Sequence, residues 1–141
     1  MILFSDLNQE LCKKIEDLGL VIKVFNQDVF KTKSEYPLAK IITASNPQFS
    51  AGGGLDLALK IAYPIEWVQA KEGLITTNLC FVISVDKKFR ATKELIRLAL
   101  GRVLVYSKRF DVILTGLGTG IGGLSFDVFV GLVKELLGAG E

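Results

Sequence analysis

The 141-residue chain contains no histidine. That removes every His-based catalytic triad, the commonest general base near neutral pH and most zinc sites. Cysteine is scarce as well. Cys12 and Cys80 match no metal-ligand or redox spacing and read as buried apolar filler in a reducing compartment. Neither sign of charge dominates: a net charge of +2 gives no field that would argue for nucleic acid as a partner. No G-K-S or G-K-T is present, which excludes a P-loop NTPase. The apolar C-terminal third is interrupted by glycines and by Asp127, so no stretch is suited to spanning a bilayer. The opening Met1-Ile2-Leu3-Phe4-Ser5-Asp6 has no basic flank and too short an apolar run for a signal peptide; the expected location is cytoplasmic.

Half of the residues are hydrophobic and 23% are charged, a balance that suits a globular chain. At this length a single domain over 1–141 can bury most of its apolar surface without disulfides or metals. Met1 to Phe4 can form a first strand. Leu7, Leu11, Ile15 and Leu18 then mark one helical face, with Ser5 or Asp6 as N-cap and Gly19 as the stop. Leu20 to Phe25 is β-prone and ends at Asn26-Gln27-Asp28, whereas Lys31 to Pro37 is polar and reads as a loop. Ala39 to Ala44 is a short buried strand. A helix starts at or just after Gly54, with Leu55, Ala58, Leu59 and Ala62 at helical spacing. Pro64 either ends that helix or opens a second one carrying Ile65, Trp67 and Val68, of which Trp67 reads as packing.

Asn78 to Val85 is almost continuously apolar, as a strand covered on both faces should be. Thr92 to Ser107 bears Leu95, Ile96, Leu98, Ala99, Val103 and Tyr106 on a broad helical stripe. Asp111 to Thr115 is the last strand. A final helix follows, with Ser125 as N-cap and Phe126, Phe129, Val130, Val133, Leu136 and Leu137 facing inward. Strands alternating with helices predict an α/β fold, with helices on both faces of a mixed, largely parallel sheet.

Two glycine-rich stretches each join a strand to a helix. The first runs from Asn46-Pro47 through Gly52-Gly53-Gly54 to Leu55-Asp56, and the second is Gly116-Leu117-Gly118-Thr119-Gly120-Ile121-Gly122-Gly123. Such a layout aims backbone N–H groups and a helix dipole at an anion, usually a phosphate. The bland alternative is an ordinary strand-to-helix connection, which needs one glycine and seldom three. Gly118, Gly120 and Gly123 also satisfy G-x-G-x-x-G, but no strand follows the last helix to supply a ribose-binding acid, which argues against a Rossmann dehydrogenase. In open α/β sheets ligands lie beyond the carboxyl ends of the strands. If the two strands are neighbours, both loops face one cleft and can grip a diphosphate.

Asn46, Gly52-Gly53-Gly54 and Asp56 together resemble the N-x5-G-G-G-[VL]-D signature of macro domains, the ADP-ribose-binding modules. Asn26-Gln27-Asp28-Val29-Phe30 is similar to that family's early G-D-I-T turn, and Gly118 to Leu124 to its second phosphate loop. The likeness covers nearly the whole chain from Leu20 onward and implies a three-layer α/β/α macro-domain-like fold. It also implies roles. Asp28 accepts from the adenine amino group, with the Val29 N–H beside it. Gly52, Gly53, Gly54 and Leu55, together with Gly118, Thr119, Gly120, Ile121, Gly122 and Gly123, wrap the diphosphate with backbone N–H groups. Asn46 holds the distal ribose, and Asp56 orients water in hydrolytic members. Phe30 or Phe126 packs against adenine.

The chain departs from the family pattern at several places. Thr43 replaces the first asparagine of N-A-A-N; Lys60 stands where the MacroD type has histidine, and Gly122 where it has an aromatic. The compact build resembles the terminal ADP-ribose glycohydrolase class, but its lysine and second-loop aspartate are replaced by the Thr76–Thr77 region and Gly122. The expectation is therefore a monomer, without metal or cofactor, whose ligand and partner are ADP-ribose or ADP-ribosylated protein. It would hydrolyse ADP-ribose esters (a carboxylate conjugate, the O-acetyl ester or the 1''-phosphate) through Asn46 and Asp56, or read ADP-ribose without turnover.

Overall fold

The computed structural model describes residues 1–45, 54–88, 90–120 and 122–138. The apolar runs form strands β1 (Ile2–Ser5), β2 (Ile22–Phe25), β3 (Lys40–Ser45), β4 (Leu79–Ile83) and β5 (Val112–Leu114). Between and after them come helices α1 (Gln9–Glu16), α2 (Val29–Glu35), α3 (Gly54–Ala62), α4 (Pro64–Lys71), α5 (Lys93–Ser107) and α6 (Phe126–Leu137). The sheet order is β2-β1-β5-β3-β4 and every pairing is parallel. The sheet is thus parallel throughout rather than mixed: each strand is followed by a helix that carries the chain back before the next strand begins.

Period-two alternation divides the core in two. Ile2 and Phe4, Ile42, Cys80 and Val82, and Val112 and Leu114 pack with α1, α5 and α6. Leu3, Ile41, Leu79 and Ile113 point the other way, onto Val29 of α2, Leu59 of α3, and Trp67 and Ala70 of α4. Helices therefore cover both faces of the sheet, as expected. The steps β1 to β2 and β4 to β5 run one way along the sheet through α1 and α5 on one face. The steps β2 to β3 and β3 to β4 run the other way through helices on the opposite face. Face and direction change together, which a single hand of crossover requires.

Three local expectations need correction. Lys31 to Pro37 is not a loop, because α2 occupies Val29–Glu35. Its buried face consists of Val29, Thr32 and Lys33, and the Lys33 ammonium donates to the carbonyls of Pro37 and Ala39. A buried face built from threonine and lysine leaves no apolar periodicity to read. The N-cap of α1 is Asn8, whose side chain accepts from the Leu11 N–H, so neither Ser5 nor Asp6 caps it. Leu7 and Leu98 are exposed and do not join their helical stripes. Pro64 opens α4 instead of merely ending α3, and Ser125 caps α6 as expected.

Candidate functional site

A cavity of about 410 Å³ opens at the carboxyl ends of the strands. Ser5, Asp6 and Leu7 border it from the end of β1, Gln27, Asp28, Val29 and Phe30 from the end of β2 and the start of α2. Thr115 just beyond β5, and Leu55 and Ala58 of α3, complete its lining. The topology explains the opening. β1 and β5 are neighbours, and the helices that follow them, α1 and α6, both pack on the far face. No helix starts directly from these two central strands on the near face, so a crevice remains between α2 and α3. This is the kind of place where parallel α/β sheets receive ligands.

The turn that carries Asp28 is held from both sides. Asn26 Nδ2 donates to the Asp6 carbonyl at 3.1 Å. Gln27 Nε2 donates to Thr32 Oγ1 at 2.9 Å, Thr32 Oγ1 and Ser5 Oγ lie 2.7 Å apart, and Ser5 Oγ donates to the Gln27 carbonyl at 3.0 Å. These three bonds close a ring and so fix its polarity: Thr32 must donate to Ser5, because the Ser5 proton is already committed to Gln27. Ser5 and Thr32 are both fully buried, and the ring satisfies them. Asp28 caps α2, its Oδ1 accepting from the Phe30 N–H at 2.8 Å. Its other carboxylate oxygen has no partner among the described residues.

Asp6 joins three segments. Its Oδ1 accepts from the Asn8 N–H at 2.9 Å and its Oδ2 from the Gly116 N–H at 3.1 Å. Its backbone N–H donates to the Phe25 carbonyl, and the Cys12 thiol donates weakly to the Asp6 carbonyl. Burial first, and then the Asp6 charge, push the Cys12 thiol up, which keeps it protonated and unreactive beneath this junction.

The second glycine loop is largely tied to the protein. Leu117 N–H donates to Thr115, Thr119 N–H and hydroxyl to Gly116, Gly123 N–H to Gly120, and Leu124 N–H to Gly118. The N–H groups of Gly118 and Gly120 have no acceptor among the described residues. Gly118 has φ of +76°, and a Cβ there would lie 2.5 Å from the Ala91 methyl. At Gly122 a Cβ would meet the Gly118 carbonyl at 2.7 Å, whereas at Gly120 the space is open. Gly118 and Gly122 are thus required by packing against the segment before α5, independently of any ligand.

Asp56 lies in the first turn of α3 and does not border the cavity. Its Oδ1 accepts from the Trp67 indole N–H at 2.9 Å and from the Thr43 hydroxyl at 3.1 Å. Its Oδ2 is buried with no partner among the described residues. Of the residues the sequence singled out, the cavity gathers Asp28, Val29, Phe30 and Leu55. Gly54 opens α3, and Gly118, Thr119, Gly120, Gly122 and Gly123 form the loop beyond Thr115 without bordering the cavity itself. Phe126, the first residue of α6, is partly buried against the core. Asn46, Gly52, Gly53 and Ile121 lie outside the described residues. The strands preceding the two glycine stretches, β3 and β5, are adjacent and parallel, so the condition for one shared cleft is met.

Sequence reasoning gave no site role to Thr32 or Thr115, took Ser5 and Asp6 only for possible caps, and met Gln27 only as part of the turn before Asp28. The available signal was a polar pair, Ser5-Asp6, directly after an apolar strand at the ligand edge of a parallel sheet. No group of three or more potential metal ligands occurs among the described residues, and no described helix is long and apolar enough to cross a membrane. Neither a protein-family model nor a curated protein matches the chain.

Proposed function

We propose that the chain binds ADP-ribose, free or attached to protein, in the cleft at the carboxyl edge of its sheet. The observation that carries this is the convergence of Asp28-Val29-Phe30 with the first turns of α3 around one cavity of about 410 Å³, a volume typical of small-molecule sites. The lining supports a division of the ligand. Among the described residues of the lining, Asp6 and Asp28 are the only charged members and no cation is present. Such a wall suits a neutral group rich in donors, as a nucleoside is, and disfavours a phosphate. The diphosphate then falls to backbone N–H groups, and those of Gly118 and Gly120 have no acceptor among the described residues.

Two forms of this function differ at Asp56. Its Oδ1 serves Trp67 and Thr43 and it stands apart from the cavity, which favours a reader without turnover. The unpartnered Oδ2 favours a hydrolase, since it is an acceptor that could orient water against the anomeric carbon of an ADP-ribose ester. Ester cleavage needs little acid–base assistance, so the lack of histidine does not stand against it. Calorimetry with ADP-ribose, ADP and AMP tests binding: affinity for ADP-ribose no higher than for AMP removes both forms. Incubation with glutamate-ADP-ribosylated protein and O-acetyl-ADP-ribose separates them. Release of ADP-ribose that Asp56→Ala abolishes selects the hydrolase, and its absence on every ester selects the reader.

A further inference from the structure

We infer that Asp6 is the positioning residue that makes the second glycine loop a ready part of the ligand site. This rests on the ADP-ribose reading and extends it to a residue that would touch the phosphates only through the loop. The geometry is specific. One carboxylate accepts from Asn8 at the start of α1 and from Gly116, 110 residues away, at the start of the loop. The approach is close: a Cβ at Gly116 would lie 2.5 Å from Leu11 Cδ2, 2.8 Å from Thr119 Oγ1 and 3.3 Å from Asp6 Oδ2. Gly116 in turn accepts both donors of Thr119 through its carbonyl. The chain of contacts therefore runs from Asp6 through Gly116 and Thr119 to the N–H of Gly120, which has no acceptor among the described residues.

Holding the Gly116 N–H has two consequences. It removes that group from the donors a phosphate could use, which leaves the donors further along the loop. It also fixes the loop before any ligand arrives, so that binding does not bear the entropy of ordering it. A carboxylate offers one acceptor oxygen to each of the two N–H groups. The amide of an asparagine has the same shape but a single acceptor oxygen, and its NH₂ would oppose one of the two donors.

The experiment titrates the full chain and its Asp6→Asn and Asp6→Ala variants with adenosine, ADP and ADP-ribose. In parallel, the exchange rate of the Gly116 amide is measured without ligand. Losing a charge-assisted hydrogen bond predicts at least about tenfold weaker binding of ADP and ADP-ribose, a clearly smaller loss for adenosine, whose pocket Asp6 also borders, and Gly116 exchange roughly tenfold faster. Equal weakening of adenosine and ADP overturns the inference, because general damage to the fold would not distinguish them. Unchanged Gly116 exchange in Asp6→Asn overturns it as well, and that measurement needs no ligand. If the unaltered chain binds none of these three ligands, the ADP-ribose reading falls separately, and the amide exchange alone decides whether Asp6 holds the loop.

Discussion

At the scale of single residues, Asp56 and the glycines of the second loop show how one residue type can serve packing or ligand. Trp67 is almost fully buried, and its indole N–H has the Asp56 carboxylate as acceptor. Asp56→Ala strands that donor and the Thr43 hydroxyl, at an expected cost of about 1–3 kcal/mol. Urea unfolding measures it, and Asp56→Asn, which keeps one acceptor oxygen, should recover much of the loss. A change in Asp56→Ala too small to resolve would mean that water replaces the carboxylate. Among the glycines, Gly118→Ala combines a positive φ with a methyl 2.5 Å from Ala91 and 2.9 Å from Ile96, and should cost at least about 2 kcal/mol. Gly120→Ala meets nothing within 4 Å and should leave stability within about 0.5 kcal/mol. Yet a methyl there would crowd a phosphate at the neighbouring N–H, so its ADP-ribose affinity should fall. A Gly120→Ala protein that binds as the unaltered chain does would place the diphosphate elsewhere.

Among the elements, the strands and the long helices could be read from periodicity because they bury aliphatic side chains on regular faces. β4 and β5 were continuous apolar runs, and they are covered on both sides. α2 could not be read that way, since beside Val29 its buried positions are Thr32 and Lys33, which become interior only through partners supplied by Ser5 and by the turn after Tyr36. The contact between α4 and β4 was equally hidden. Glu66 accepts from the Asn78 N–H and the Asn78 side-chain amide, each at 2.8 Å, twelve residues apart in the chain. Partial burial opposes ionisation of Glu66, but the Asn78 side-chain amide, the Thr76 hydroxyl, the Asn78 N–H and the Lys40 charge outweigh it. Together they hold its carboxyl below the usual value. A folded-state value below the unfolded one gives stability that is complete above about pH 4.3 and is lost as pH falls through the depressed value. The urea midpoint of the unaltered chain should therefore fall on acidification through that range more steeply than that of Glu66→Gln. Parallel curves would show that Glu66 contributes nothing to acid sensitivity.

For the molecule as a whole, the architecture followed from counting alternations of strand and helix, while the placement of the site depended on strand order. Sequence alone left open whether the strands before the two glycine stretches were neighbours. It also could not reveal that the chain crosses to the far face after both β1 and β5. That crossing leaves the crevice where Asp28 and α3 meet, and it brings Asp6 to the loop after β5. A site assembled from the ends of three strands and from α3 couples ligand binding to the folding of the sheet, since no single segment retains it when the fold opens. A ligand bound only by the folded chain at one hundred times its dissociation constant adds about 2.7 kcal/mol of stability. For a domain of this size each kcal/mol moves the thermal midpoint by about 3–4 °C, so saturating ADP-ribose should raise it by roughly 8–10 °C. AMP at equal concentration should raise it less, because it offers one phosphate to the loops and no distal ribose. Equal shifts with both nucleotides would confine the site to the nucleoside and its first phosphate; no shift with either would remove nucleotide binding from this cleft.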